Sequence, residues 1–469
     1  MNKKFFHTFE TKPTNSEHRR SFLKSLALGG IGMGFFMTRE AYAEEIEYVT
    51  QNISRVSAPS ELKITDLRIT KLGKTPLIKI YTNQGIYGLG EVRDDASETY
   101  ALFLKSRILG KNPCNVEQIF KSIKQFGGHG RKSGGVCGIE MALWDLAGKA
   151  FNVPVYQMLG GRYRDKIRIY TLSPGTGSGP ESIGENIKSR IAEGFTFAKI
   201  HLTPAILKDV PNAIVGGNNW DYTKPYNPDW MSYGQTLHPF TRMQLTPTGI
   251  NYLSDYVGKI RDIAGYEIPI GIDHLGHFEH NSLIKLGKAL DKYTLAFLED
   301  LQPWMFPEQL KEITNAIETP TMTGEDIYLK EEFIKLCDNH IVDMVQPDLA
   351  SSGGILETKK IGDYAEERGL PMFLHFAGTP VSLMANVHSA AATGNFIALE
   401  GRFGKGFDDL VTGISKPIVD KGFIKVPESP GLGIDLDEEI LKSRLKDGQT
   451  LFPPSDEWNN ESSWDRTWS

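Results

Sequence analysis

The rhythm of apolar and polar residues changes once within the folded part of this chain, and the change separates two architectures. From Leu62 the rhythm is strand-like: 63–71 and 77–81 flank a Gly73-Lys74-Thr75-Pro76 break, and Asn83-Gln84-Gly85 turns the chain into Ile86-Tyr87-Gly88-Leu89-Gly90-Glu91. Helical spacing follows, clearest over 138–151, where Ile139, Ala142, Leu143 and Leu146 mark one apolar face. An antiparallel sheet with helices is therefore expected to open the folded part.

From about Lys166 short apolar runs alternate with helical stretches. The runs are Ile167-Arg168-Ile169-Tyr170, Phe197-Ala198-Lys199-Ile200, 268–272, Ala296-Phe297-Leu298, Pro320-Thr321-Met322, Asp343-Met344-Val345, Met372-Phe373-Leu374 and 396–399. Strands alternating with helices pair in parallel, and eight of them predict a closed α/β barrel of the TIM type. A doubly wound open sheet is the competing architecture. It wants a glycine-rich phosphate turn after its first strand, and Ser173-Pro174-Gly175-Thr176-Gly177-Ser178-Gly179 lacks that frame, so these glycines are read as a flexible βα loop. Residues 204–248 break the regular spacing with Trp220, Tyr222, Tyr226, Trp230, Tyr233, His238 and Phe240. A long aromatic insertion at this point lies at the catalytic face of a barrel, as a lid, a subunit contact or a packed surface excursion.

The first 43 residues have another texture. Arg19-Arg20-Ser21-Phe22-Leu23-Lys24 precedes an apolar stretch over 25–37, and Ala41-Tyr42-Ala43 offers a cleavage site. This is the layout of an export signal, and the apolar stretch is too short to span a bilayer. The twin arginine resembles a twin-arginine translocation signal, which implies a periplasmic or otherwise exported protein; an ordinary secretory signal or an uncleaved anchor is the alternative. Residues 44–61 read as a linker. No other stretch is apolar enough to cross a membrane, so no stable insertion is expected after signal cleavage.

Bulk properties narrow the function. At 469 residues, 40% hydrophobic and 23% charged, the chain is globular and too long for one ordinary domain. A net charge of −6 supplies no basic field for nucleic acid, so an anionic substrate needs local cations or a metal. Cys114, Cys137 and Cys337 are few, odd in number and far apart, which implies no disulfide framework, and no Cys-His cluster has zinc spacing.

Each barrel run from the second onward ends in a residue of chemical use. Lys199 and His201 end the second, Asp273 the third, Glu299 the fourth, Glu325 the fifth, Asp348 the sixth, His375 the seventh and Glu400 the eighth. From Asp273 the intervals are 26, 26, 23, 27 and 25 residues, each about one βα unit, so these side chains converge on one mouth. A lone acid here would be a helix cap or a surface ion pair. Three in phase, Asp273, Glu299 and Glu325, repel unless a cation sits between them, and an all-oxygen set suits Mg²⁺, with Mn²⁺ as the alternative. Asp348 beside His375 is the arrangement that fixes an imidazole tautomer and raises its basicity. Lys199 and His201, two apart, point to one side and face the metal from the opposite flank. Lys199 is suited to neutralise a substrate carboxylate. His201 suits an acid or a base, or is a satisfied structural histidine. Glu400, if protonated, suits a hydrogen bond to the substrate carboxylate or its enolate, or is structural. Such a set serves removal of a proton next to a carboxylate, because a divalent metal and opposing donors stabilise the developing enediolate.

Longer motifs carry a resemblance. Gly138-Ile139-Glu140-Met141-Ala142-Leu143-Trp144-Asp145-Leu146-Ala147-Gly148-Lys149-Ala150, Pro154-Val155-Tyr156-Gln157-Met158-Leu159-Gly160-Gly161, Phe297-Leu298-Glu299-Asp300, Thr323-Gly324-Glu325, Gln346-Pro347-Asp348-Leu349 with Gly353-Gly354, and Pro427-Glu428-Ser429-Pro430-Gly431-Leu432-Gly433 are similar to the mandelate racemase and muconate-lactonizing group of the enolase superfamily. The resemblance implies an α+β capping domain (62–165) completed by the C-terminal segment (409–469), over a (β/α)7β barrel (166–408). It also implies Mg²⁺ on Asp273, Glu299 and Glu325, an Asp348–His375 base, and a homo-oligomer. Lys199-Ile200-His201 stands where many relatives have Lys-x-Lys, Asp273-His274-Leu275-Gly276-His277 lacks the usual Asn or His two places after the ligand, and Leu301 replaces a proline. These departures speak against a two-base racemase, while the long insertion resembles the mannonate and galactonate dehydratase branch.

The expected activity is therefore an acid-sugar dehydratase, which removes the C2 proton and the C3 hydroxyl to give a 2-keto-3-deoxy acid. His375 is suited to protonate the departing hydroxyl while His201 or another group takes the α-proton; the reverse assignment is equally open. Asp94 and Asp95 fall where this group places a specificity loop, to meet sugar hydroxyls or face solvent, and His274 and His277 are further candidates for substrate contact. An epimerase, racemase or cycloisomerase shares the same first step. A non-catalytic metal-containing binding protein is the reading from another class.

Overall fold

The computed structural model describes residues 58–172, 179–215, 243–401 and 403–460. The twin-arginine segment, most of the expected linker, the 173–178 glycine loop and the named rings of the aromatic insertion lie outside the described residues. Among the described residues no helix is long and apolar enough to cross a membrane.

The alternating segments form β1 (Ile64–Leu72), β2 (Thr75–Thr82) and β3 (Tyr87–Glu91), an antiparallel sheet. Its inner face packs on the helix Gly134–Phe151. That helix is buried on nearly every side, because the sheet covers one flank and the helices Leu349–Ser352 and Ile355–Glu367 cover others. An apolar face read from spacing alone thus understates a helix that is central to the core.

All eight apolar runs form strands. They are β4 (Lys166–Leu172), β5 (Ala198–His201), β6 (Ile270–Asp273), β7 (Phe297–Glu299), β8 (Thr321–Thr323), β9 (Met344–Val345), β10 (Met372–Leu374) and β11 (Phe396–Gly401). Each pairs in parallel with the next, and β11 returns to β4 through Leu399 and Ile169 to close the barrel. Tyr170, Phe197, Phe297, Met322, Phe373 and Ala398 fill the interior. Phe197 and Phe297 stack with centroids 5.8 Å apart, and Phe373 meets both edge-on at 5.6 and 5.3 Å. Offset and edge-on contacts suit aromatic quadrupoles, and the result is a solid floor beneath the mouth.

After the barrel come β12 (Val411–Thr412), β13 (Phe423–Lys425), which lies antiparallel on β4, and β14 (Asp435–Leu436), which pairs with β12. The chain then returns to the N-terminal sheet. Lys79 pairs with Glu438 at 2.9 Å, the Tyr87 hydroxyl donates to Asp435 at 2.5 Å, and Ser455 Oγ donates to the Leu67 carbonyl at 2.7 Å. The architecture is a TIM-type barrel with an α+β cap completed by the C-terminal segment.

Two buried glutamates fasten cap to barrel. Glu140 accepts from the backbone N–H groups of Ile355 and Leu356, at the start of the helix Ile355–Glu367. Glu91 accepts from those of Thr379 and Ser382, at the start of the helix Pro380–Ala391. A carboxylate at a helix N-terminus satisfies orphan donors and complements the helix dipole. Burial nevertheless pushes both carboxyls up to about 8. Glycine lets each carboxylate approach closely: a Cβ at Gly354 would lie 2.1 Å from Glu140 Oε2, and one at Gly378 would lie 2.0 Å from Glu91 Oε1, so a side chain there would push the glutamate off its helix N-terminus.

A pH-dependent stability follows from His388, buried on the helix Pro380–Ala391 against Tyr156, whose backbone N–H donates to its Nδ1. Burial lowers the imidazole to about 4, so the folded state keeps it neutral while the unfolded chain protonates near 6.5. This stability is complete above pH 6.5 and is lost as pH falls toward 4. A shift of that size is worth about 3 kcal/mol. The melting temperature should therefore fall over that window, and fall less steeply in His388→Gln; parallel slopes for the two proteins would refute the assignment.

Candidate active site

The strands deliver their terminal side chains to one place because β4–β11 all run the same way and end at the same rim. Lys199, within β5, is fully buried, and its Nζ lies 3.1 Å from Asp273 Oδ2, 3.0 Å from Glu299 Oε2 and 3.2 Å from Glu400 Oε2. Burial opposes its charge, but these three carboxylates outweigh burial and hold the ammonium well above its ordinary value. Tyr170 rises from the aromatic floor to donate to Glu400 at 3.1 Å, and Gln346 donates to the Tyr170 oxygen at 2.9 Å.

The remaining acids divide into two directions. Asp273, Glu299 and Asp300 each place an oxygen so that all three lie within 4.8 Å of one another. Asp273 is pushed up by burial but held below the usual carboxylate range by His274, Lys199 and His201. Glu299 and Asp300 are pushed well above it, first by burial and then by neighbouring acids. Glu325 turns away from this trio: its Oε2 is 2.9 Å from His375 Nε2, and its Oε1 is 3.7 Å from Arg93 Nη2.

Across the mouth, His375 Nδ1 lies 2.7 Å from Asp348 Oδ2, and Asp348 Oδ1 accepts from the Ala350 backbone N–H at 2.7 Å. Burial disfavours the charged imidazole, yet Glu325, Glu400 and Asp348 more than offset it and raise His375 well above its ordinary value. His201 stands on the opposite flank, 3.8 Å from Asp273 and edge-on to His274 with centroids 4.3 Å apart.

Other candidates scatter. Asp94 faces Arg93 at 3.4 Å and Arg131 at 3.6 Å, at the rim. Asp95 points outward to Lys74 at 3.1 Å. His274 is partly exposed beside Asp273, whereas His277 is buried, and burial lowers its imidazole to about 3. Arg93, Asp300 and Tyr170 were not singled out from the sequence. The doubled acid Glu299-Asp300 was a signal for the second, and the charged run Arg93-Asp94-Asp95 after β3 for the first.

The donor chemistry fits a hard divalent cation. Asp273, Glu299 and Asp300 are all-oxygen donors at close range, and Asp273, Glu299 and Glu400 crowd one lysine, which cannot neutralise them.

Comparison with known proteins places this geometry in a family. Residues 47–160 match the mandelate racemase/muconate lactonizing enzyme N-terminal domain, and residues 183–440 match the family described as enolase C-terminal domain-like. A D-xylonate dehydratase from Haloferax volcanii is 30% identical over 84% of this chain and 91% of its own. A D-galactonate dehydratase family member from Salmonella virchow is 30% identical over 81% and 93%. The crystal structure of a mandelate racemase/muconate lactonizing enzyme-like protein from Rubrobacter xylanophilus superposes with a TM-score of 0.72 at 27% identity, covering 84% of this chain and all of that one. With both its domains matched over most of their length, the chain belongs to the mandelate racemase and muconate lactonizing enzyme group of the enolase superfamily.

Proposed function

We propose that the protein is a hydro-lyase that dehydrates an aldonate or related sugar acid to its 2-keto-3-deoxy acid. The observation that carries this reading is the pair of imidazoles, His375 on Asp348 and His201 on Asp273, facing each other across the acid cluster. The names of the relatives from Haloferax volcanii and Salmonella virchow support the same reaction class.

Asp273, Glu299 and Asp300 would hold Mg²⁺ as they stand, and Glu325, which faces His375 and Arg93, would join them by turning its carboxylate; the ion would supply fixed positive charge against the carboxylate of the substrate. Lys199, charged and buried, holds Asp273, Glu299 and Glu400 together from the floor side. His201 takes the C2 proton, and the C2–H electrons pass to the carboxylate as the enediolate forms. Collapse of the enediolate expels the C3 hydroxyl, which leaves as water with the proton that His375 Nε2 delivers. The enol product then ketonises. Glu400, fixed by Tyr170 and Lys199, would hydrogen-bond the carboxylate end when it carries a proton. The Arg19-Arg20 segment supports export by the twin-arginine route.

The test is a screen of the mature protein with Mg²⁺ against aldonic, aldaric and uronic acids, reading 2-keto-acid formation. Turnover of a sugar acid supports the reading. Deuterium entering C2 from D₂O with epimerisation and no keto acid would replace dehydration by epimerisation. With the substrate in hand, His375→Asn should still exchange the C2 proton while His201→Asn should not; the opposite pattern would exchange the two roles.

A further inference from the structure

The acid–base dyad does not belong to the barrel alone. Arg93, two residues beyond Glu91 on the cap, is 1% exposed and reaches into the mouth. Its Nη1 donates to Asp348 Oδ2, the same oxygen that His375 Nδ1 contacts, and lies 3.2 Å from that ring nitrogen. Nη2 faces Glu325 at 3.7 Å. Asp348 is thereby fixed at both oxygens, by the Ala350 N–H on one and by Arg93 with His375 on the other. Arg93 itself is set in place by its chain neighbour, since Glu91 grips the N-terminus of the helix that follows His375.

From this geometry we infer that Arg93 is a positioning residue for proton transfer: the capping domain supplies the cation that aligns the Asp348–His375 dyad. A guanidinium suits the task because its planar fork addresses two carboxylates in fixed directions, which a lysine ammonium does not. Arg93 spends its carboxylate hydrogen bond on Asp348 and has the charges of Glu325 and Asp94 on its other sides, so its cation is directed at the dyad.

The inference rests on His375 as a proton carrier, so the experiment includes His375→Asn. Arg93→Lys and Arg93→Met are compared with wild type by steady-state kinetics and by NMR of ¹⁵N-histidine-labelled protein, with the His375 signal assigned from its loss in His375→Asn. Cooperative melting checks the fold, and Arg93→Lys, which keeps the charge, serves if Arg93→Met does not fold. Arg93→Met should lose roughly 100-fold in kcat with KM nearly unchanged. The His375 Nδ1–H resonance should shift in both variants, and methylguanidinium should restore part of the activity of Arg93→Ala. Unchanged kcat with an unchanged His375 resonance overturns the inference, as does a loss confined to KM, which would make Arg93 a substrate ligand. Full turnover by His375→Asn would defeat the underlying functional reading instead.

Discussion

His375→Asn is expected to reduce kcat by roughly 10³-fold, the usual worth of a well-placed general acid or base. Asparagine retains a donor toward Asp348 but has no proton to exchange at the position of Nε2, so the loss should fall on the chemical step. KM should move little, because in the proposed mechanism the cation and Glu400, and not the imidazole, hold the substrate. Steady-state kinetics with the substrate identified by the screen reads the result directly. Near-wild-type kcat would remove His375 from the mechanism and leave its Asp348 contact as a structural bond. A large rise in KM with kcat intact would make it a binding group.

Chelation of divalent metal is expected to abolish turnover and also to lower thermal stability. The second effect follows from electrostatics: Asp273, Glu299 and Glu400 crowd a single ammonium at about 3 Å, and burial has already pushed Glu299 well above the usual carboxylate range. A cation that binds only the folded state adds about 2.7 kcal/mol at one hundred times its Kd. Melting temperature should therefore rise with added Mg²⁺ and saturate, and Glu299→Gln should flatten that response while melting at least as high as metal-free wild type. Asp300→Asn should weaken the response less than Glu299→Gln if Asp300 is an auxiliary donor. A Mg²⁺-independent melting temperature in wild type, with activity insensitive to EDTA, would remove the metal from this site.

The barrel was legible because its repeat is local. Each strand–helix unit returns the chain to the same rim after about 25 residues, so Asp273, Glu299, Glu325, Asp348, His375 and Glu400 announce themselves by phase. Phase says nothing of where a side chain turns. Glu325 is in step with Asp273 and Glu299, yet its carboxylate faces His375 and Arg93, a choice made by charges from other strands and from the cap. Arg93 was legible only as one member of the charged run after β3, not as a partner of the dyad. Its partner Asp348 is 255 residues away, and only the docking of the cap brings them together. Asp95, its neighbour by two places, carries a charge of the same size but points to Lys74 outside, so a charged residue in this loop does not by itself announce which way it turns.

The grip of Glu91 and Glu140 on two barrel helices has a consequence for how such enzymes diversify. Recombining caps and barrels is an obvious route to new substrates, but here the cut would sever helix caps and the support of the proton-transfer pair in one stroke. A transplanted cap would have to bring Glu91, Arg93 and Glu140 with it, and the recipient would have to offer glycines like Gly354 and Gly378 to receive the two glutamates. The heritable module is thus the barrel's sixth and seventh units together with the strand and helix that clasp them, and selection on specificity is left with the outward-facing remainder of the cap.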